Sequence, residues 1–459
     1  MRHLKKNRRK FISTALKASG TLLLPSIVPS SVFGKNAPSN RINVAGIGAG
    51  RISRTHDLPG VWKYDHAQVI AICDVDANRA EDGKKLINDH YSKKDGKRYD
   101  GVKVYEDYRE LLLNKDIDAV LISTPDHSHA MIGVAAARAG KHIYMQKPAS
   151  LTIAEGRVIS NVVQKSNVKF QIGSQQRSTA QFRYAAELVR NGRIGTLLSV
   201  QVGLPGDPPG GNTQRMQIPK NLNYDMWLGS TPDVYYTEER VHPQIGYERP
   251  GWLRCEQFGA GMITGWGSHH IDGAHWAMGM ERSGPMEIWC EKVEFNKGGL
   301  WDVHGLFKTG AKYDNGVIMT VSNEFPNGIR FEGTEGWLFV SRGDYQVTSS
   351  DPLKPGEKAK KIDAQDPRIL TSEIGEKEFH LTVSNDHHGN WLDAIRYNQE
   401  CIAPVEEAHR SCSACLLHHI AMKLNRKISW NPQTEQFIND PEATRLLRRP
   451  QRKGYEIDG

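Results

Sequence analysis

A chain of 459 residues has room for two domains of ordinary size, and its apolar, aromatic and charged fractions are those of a globular protein. The formal net charge of +8 suggests nucleic acid only until it is located: Arg2, Lys5, Lys6, Arg8, Arg9, Lys10 and Lys17 all fall in residues 1–34, which hold no acid. The remainder is close to neutral, so a nucleic-acid partner is excluded, and no apolar run of 18 residues follows that would span a membrane.

In chain order, "NRRKFIS", the modest apolar run "TLLLPSIVP" and the small residues "SSVFG" resemble a twin-arginine export signal over residues 1–34, with cleavage near Gly34 and a periplasmic destination. Residues 41–48, "RINVAGIG", predict a short buried strand, and "QVIAICDVD" (68–76) and "DAVLISTPD" (118–126) predict two more. "KHIYMQ" and "KFQIG" are further strands, with helical stretches such as "NRAEDGKKLINDHY", "YEDYRELLLN", "AMIGVAAARAG" and "TIAEGRVISNVVQKS" between them. That alternation predicts a parallel sheet covered by helices, an α/β domain over residues 41–173. From 174 to 459 the pattern becomes α+β. "TLLSVQVG", "MEIWCEKVEFN", "GLFKTGAKYDNG", "GVIMTVSNEF" and "GWLFVSRG" are strands joined by turns, which predicts an open, mostly antiparallel sheet. Residues 265–279 and the stretch from 387 on read as helices, and polar residues 351–367 read as a surface loop.

The six cysteines are too sparse for a disulfide scaffold. Cys412, Cys415 and His419 share one helical face, but "CSACLLHHIAMKL" reads as an amphipathic helix, so core packing is favoured and no metal site is expected.

Ligands in parallel sheets collect at the carboxyl ends of strands, and several chemistry-bearing residues stand there. "GIGAGR" offers Gly46, Gly48 and Gly50, followed by Arg51 and Ile52, where a backbone must turn tightly beside a pyrophosphate. The spacing is imperfect, since Arg51 stands where a third glycine is usual. Asp74 ends the second strand and could accept from ribose hydroxyls, which favours NAD; Arg79 nearby keeps NADP open. "STPDHSHA" adds Thr124, Pro125, Asp126, His127 and His129, residues that alone would read as turn and helix-cap chemistry. "YMQKPAS" places Gln146 and Lys147 where a strand finishes, an unusual site for a strongly hydrated amine without a task.

The order "GIG…CDVD…STPDHSH…QKP…GWGSHHID" resembles the Gfo/Idh/MocA family, named for glucose–fructose oxidoreductase and inositol dehydrogenase, over nearly the whole chain beyond the signal. The resemblance implies a Rossmann domain binding NAD(P) and an open-sheet domain supplying sugar contacts. It aligns Lys147 with the family's catalytic lysine, with Gln146 in place of a glutamate, and His269 with its histidine. Gly265 departs from the family pattern, since an aspartate is usual there. His269 is then the expected general base, Asp272 its orienting partner, and Gln175, Arg177, Trp266 and His270, with Trp252, the expected substrate contacts. An exported enzyme meets no general NAD(H) pool, so a tightly bound cofactor with internal recycling is expected. The substrate is a sugar or cyclitol and the assembly a homodimer or homotetramer. Two alternatives stay open: an NAD-dependent glycoside hydrolase with no net redox, and an inactive sugar-binding homologue.

Overall fold

The computed structural model describes residues 41–343 and 361–457. The export segment read over residues 1–34 lies outside the described residues, as do residues 351–360 of the polar loop.

Six short apolar runs form the first sheet: β1 (Ile42–Ile47), β2 (Ala67–Cys73), β3 (Lys103–Tyr105), β4 (Ala119–Ile122), β5 (His142–Met145) and β6 (Phe170–Ile172). Every pairing is parallel and the order is β3-β2-β1-β4-β5-β6. All four residues of β4 are buried, the mark of a strand covered on both faces. The covering helices include α1 (Ala77–Asp95), α2 (Asp126–Arg138) and α3 (Ile153–Ser166). Asp76 caps α1 by accepting from the amides of Asn78 and Arg79, and Thr152 caps α3 by accepting from Glu155 N. The order in which strands join the sheet reverses between β1 and β4, and there a crevice opens at the strand ends.

After helix α4 (Ala180–Arg190) the second sheet begins with β7 (Leu197–Gly203). Helix α5 (Gly267–Met278) precedes β8 (Glu287–Phe295), β9 (His304–Lys312), β10 (Ile318–Ser322), β11 (Gly328–Gly333), β12 (Gly336–Val340) and β13 (Ile362–Ala364). Helices α6 (His387–Tyr397) and α7 (Val405–Leu424) follow, then β14 (Ile428–Asn431) and β15 (Gln436–Phe437). The order is β13-β12-β11-β7-β10-β9-β8-β14-β15, and only β7–β10 is parallel. The expected mostly antiparallel sheet is present and larger than the sequence suggested. Residues 362–364, read as loop, form an edge strand against β12.

The last helices return to the first layer. Trp391, Leu392 and Ala394 of α6 pack in one cluster with Val44, Val69 and Leu121. Helix α7 lies against α3, with the Cys412 thiol donating to Ser150 O (3.4 Å). All six cysteines are free thiols, and His419 pairs with Glu256 (3.3 Å) rather than with a cysteine.

Candidate active site

A cavity of about 440 Å³ lies at the carboxyl ends of the first sheet. Gly48 forms its floor with φ +92°, and a Cβ there would sit 2.7 Å from Ser123 O, so only glycine fits. At Gly50 a Cβ would meet only Arg79 Nη1 at 3.9 Å, which leaves the wall open beside the turn. Arg51 and Ile52 line the cavity and lead into a π-wound stretch, Ser53–Asp57. Gly46 lies deeper in β1, where a Cβ would come within 2.7 Å of Ile72 Cδ1; it serves packing and does not line the cavity.

The π-wound turn brings Asp57 beneath the strand ends. Its fully buried carboxylate accepts from Ser123 Oγ (2.6 Å), Gln146 Nε2 (2.7 Å) and His388 Nε2 (3.1 Å). One acid thus ties the ends of β4 and β5 to α6. Asp74, at the end of β2, accepts from Ala49 N (2.7 Å) and Asp76 N (2.9 Å), which holds the glycine turn against it. Burial raises its pKa, and those two amide bonds oppose the rise.

Thr124, Pro125 and Asp126 form the next edge, and the Thr124 hydroxyl has no partner among the described residues. His129 also reaches the cavity, but its ring is engaged by Pro148 O (2.7 Å) and Thr124 O (2.9 Å), joining this loop to the next. On that next loop Gln146 and Lys147 face the cavity. Burial pushes the Lys147 ammonium below the usual lysine range; the Asp126 carboxylate opposes this, while Arg249, Arg342 and Arg51 reinforce it. Burial raises the Asp126 carboxyl in turn.

From the second layer come Gln175, whose amide donates to Tyr144 OH (3.2 Å), and Trp252, Gly265, Trp266 and His269. His269 is 5% exposed, and its Nδ1 has no partner among the described residues. Burial, then Arg342 and Lys147, hold this imidazole neutral, so it starts as a proton acceptor. No cluster of three metal-ligating side chains occurs among the described residues.

This geometry suits a dinucleotide: a glycine turn open at Gly50, an acid ending β2, and orphaned polar atoms on Thr124 and His269. Residues 42–174 match the model of an oxidoreductase family with an NAD-binding Rossmann fold, and residues 210–350 and 365–457 match its C-terminal alpha/beta domain. The chain belongs to the Gfo/Idh/MocA oxidoreductase family. It is 32% identical over 178 residues to the uncharacterized oxidoreductase YrbE of Bacillus subtilis, covering 39% of this chain and 46% of that one. It is 31% identical over 166 residues to a myo-inositol 2-dehydrogenase of Thermotoga maritima, covering 36% and 46%. The chain spans about half the length of these curated relatives. Across nearly the whole of both chains the fold is that of an aldose–aldose oxidoreductase from Caulobacter crescentus, with TM-score 0.56, 18% identity, and 85% and 99% coverage.

Besides Gly46, four residues expected at the site of this Gfo/Idh/MocA chain lie elsewhere. His127 packs against Trp227 and Phe258 and bonds Trp227 O (2.7 Å), away from the cavity. His270 bonds Asn327 Oδ1 (2.9 Å) and stacks on the hidden side of Trp266, so it supports that ring instead of meeting substrate. Arg177 and Asp272 form a buried ion pair: Arg177 Nη2 and Nε donate to Asp272 at 2.7 and 2.8 Å, Arg177 Nη1 donates to Glu407, and Ser411 donates to Asp272. Neither lines the cavity, and Asp272 does not orient His269. The cause is a single 3₁₀ turn, Gln175–Ser178, that presents Gln175 outward and turns Arg177 inward. Removing Asp272 strips the buried Arg177 of two of its hydrogen bonds and leaves Glu407 as its remaining carboxylate, so Asp272→Ala is expected to lower the unfolding free energy by about 1.5–3 kcal/mol in urea titrations. Unchanged stability with lost turnover would return Asp272 to the site.

Sequence reasoning missed Asp57, Arg249 and Arg342. Arg249 and Arg342 line the cavity from segments with no periodic pattern, the 204–261 connection and the end of β12.

Proposed function

We propose that this chain is an exported oxidoreductase that oxidises a secondary alcohol of a sugar or cyclitol, with NAD held tightly in the cavity. The convergence of Lys147 and the unpartnered His269 Nδ1 on one cavity at the strand ends carries this reading. Gly48, Gly50, Arg51, Ile52, Asp74 and Thr124 would hold the dinucleotide. When bound, the nicotinamide supplies the acceptor for the hydride that leaves the substrate carbon.

The protein's part is placement and proton transfer. Lys147, its ammonium already destabilised by burial, holds the reacting hydroxyl and takes its proton as the carbon–oxygen bond becomes a carbonyl, and the neutral His269 receives that proton in turn. Trp252 offers a flat face to a sugar ring and Gln175 a polar contact, while Trp266, stacked by His270 and with the Arg342 guanidinium over its ring, borders the space. NAD is favoured over NADP by the Asp74 carboxylate and because Arg79 is engaged by Pro243 O (2.8 Å) and Gly246 O (3.3 Å).

The twin-arginine-like N-terminus supports export of an already folded protein, and a captive dinucleotide follows from that route. Exposed Leu198 and Leu306, on strands of the second sheet, support pairing with another copy of the chain. Mass spectrometry of the small molecules released from protein purified out of the periplasm tests the captive cofactor: NAD(H) near one per chain is expected. Protein that arrives empty and binds NAD only at millimolar concentration would reject it.

A further inference from the structure

Residues 242–250 form neither helix nor strand, yet they follow the crevice from one end to the other. His242 lines the wall near Asp74, after β2. Arg249 lines it at the far end, close enough to Asp126 and Lys147 for its charge to act on both. Between them the stretch meets Arg79, whose Nη1 stands 3.9 Å from where a Cβ on Gly50 would be. It therefore crosses beside the glycine turn.

Side chains, and not a backbone ladder, fasten it there. At its start His242 Nε2 bonds Asp76 Oδ2 (3.0 Å), and Asn221 Nδ2 donates to Asp76 Oδ1 (2.8 Å) and to Gln244 Oε1 (3.1 Å). Arg79 Nη2 then donates to Pro243 O (2.8 Å) and Gly246 O (3.3 Å). The last clasp is Tyr247. Two guanidinium groups lie over its ring, Arg54 Cζ at 4.3 Å and Arg79 Cζ at 4.7 Å from the centroid, and its hydroxyl donates to Asp82 Oδ2 (2.9 Å). Arg54 belongs to the π-wound stretch after the glycine turn, and Arg79 and Asp82 to α1. One tyrosine thus grips both elements that would cradle a pyrophosphate.

Little else holds the stretch. Ile245 is 90% exposed and Glu248 is exposed, so few apolar contacts oppose its opening. Every partner in the latch is a protein group, so the strength of the latch does not depend on what the crevice holds.

We propose that residues 242–250 are a strap that gates the dinucleotide, and that Tyr247 is the positioning residue that keeps it shut. This rests on the reading of a captive NAD and supplies its cause: the cofactor enters and leaves only when the strap swings off α1. Loosening the latch raises the open fraction equally with and without NAD, so it speeds both entry and exit and leaves the affinity unchanged.

The test follows isotope-labelled NAD on the purified full chain, its release into excess unlabelled NAD and its uptake by stripped protein. Tyr247→Ala should speed both rates about ten- to a hundredfold, the combined effect of two cation–π contacts and one hydrogen bond to a carboxylate. Its dissociation constant should stay within about threefold of the parent. Tyr247→Phe keeps the ring, loses only the Asp82 bond, and should fall between; it decides the matter if the alanine variant does not fold. Ile245→Ala, exposed on the same stretch, should match the parent. Parental rates in both Tyr247 variants, faster release with unchanged uptake, or equal acceleration in Ile245→Ala would overturn the proposal. A parent that exchanges NAD rapidly, with Tyr247→Ala faster still in both directions, would uphold the strap and sink the captive cofactor. Slow exchange at one rate in every protein would do the reverse, and no NAD binding by any of them would overturn both.

Discussion

Lys147→Ala is expected to lower kcat by about 10²–10⁴-fold while NAD affinity stays within about threefold of the parent. The amine lies at the cavity wall, where β5 ends, whereas the dinucleotide's expected contacts come from the glycine turn after β1 and from Asp74. Its removal takes away a group that holds and deprotonates substrate but leaves the nucleotide slot intact. The pH profile carries the sharper test. A base must be unprotonated to act, so activity rises with pH through its pKa and levels above it. Burial sets the Lys147 pKa below the ordinary lysine range, which moves that limb down in pH. Asp126 is the group that opposes the shift, so Asp126→Asn should displace the limb further toward acid. A limb that stays in place in Asp126→Asn, or parental turnover in Lys147→Ala, would remove Lys147 from the reaction.

Unfolding on mild acidification is the second large effect expected. His127, His270, His304, His387 and His418 are buried with pKa values pushed down to about 3, and His275 to about 4, burial being the first cause in each. His304 is the extreme case, with neither ring nitrogen partnered among the described residues. In the unfolded chain each titrates near 6.5, so below that pH the unfolded state binds protons that the folded state refuses. Folding stability is therefore complete above about pH 6.5 and is lost as the pH falls from there toward the folded-state values. At about pH 5.5 each histidine costs on the order of 1 kcal/mol and the six together several, a large part of the whole stability of a typical domain. Circular dichroism across this window should show cooperative unfolding between about pH 6 and 5, with protons taken up. His304→Phe should move the midpoint to lower pH. A chain that keeps its full urea resistance at about pH 5 would show that these rings titrate normally when folded.

The fold was legible because its cues are local. Unbroken apolar runs such as "DAVLIST" report a strand covered on both faces, and the switch to turn-linked alternation after Gly195 reports an antiparallel sheet. What escaped was short: β3 and β13 have three residues each and β15 has two, too few for an alternating pattern to show. The site divides in the same way. Lys147, Thr124, Asp74 and the glycine turn could be placed because strand ends converge in this topology. His269 could be placed only through the family resemblance. Arg177 misled because its strand-end position looks identical, in sequence, to that of Gln175; one tight turn separates their fates. Asp57 was invisible because a π-wound stretch shifts the facing of every residue after it, and helical periodicity does not anticipate that. Arg249 and Arg342 reach the cavity from connections whose course no pattern dictates.

The central claim is that Lys147 and His269 serve a hydride transfer from a sugar carbon within this cavity. Stopped-flow absorbance of reduced nicotinamide, recorded when NAD-loaded protein meets each of a panel of sugars and cyclitols, tests it most directly. A rise stoichiometric with protein in the parent, absent in Lys147→Ala and strongly slowed in His269→Ala, is the result expected. Product formed with no nicotinamide signal in the parent, or equal signals in all three proteins, would contradict it.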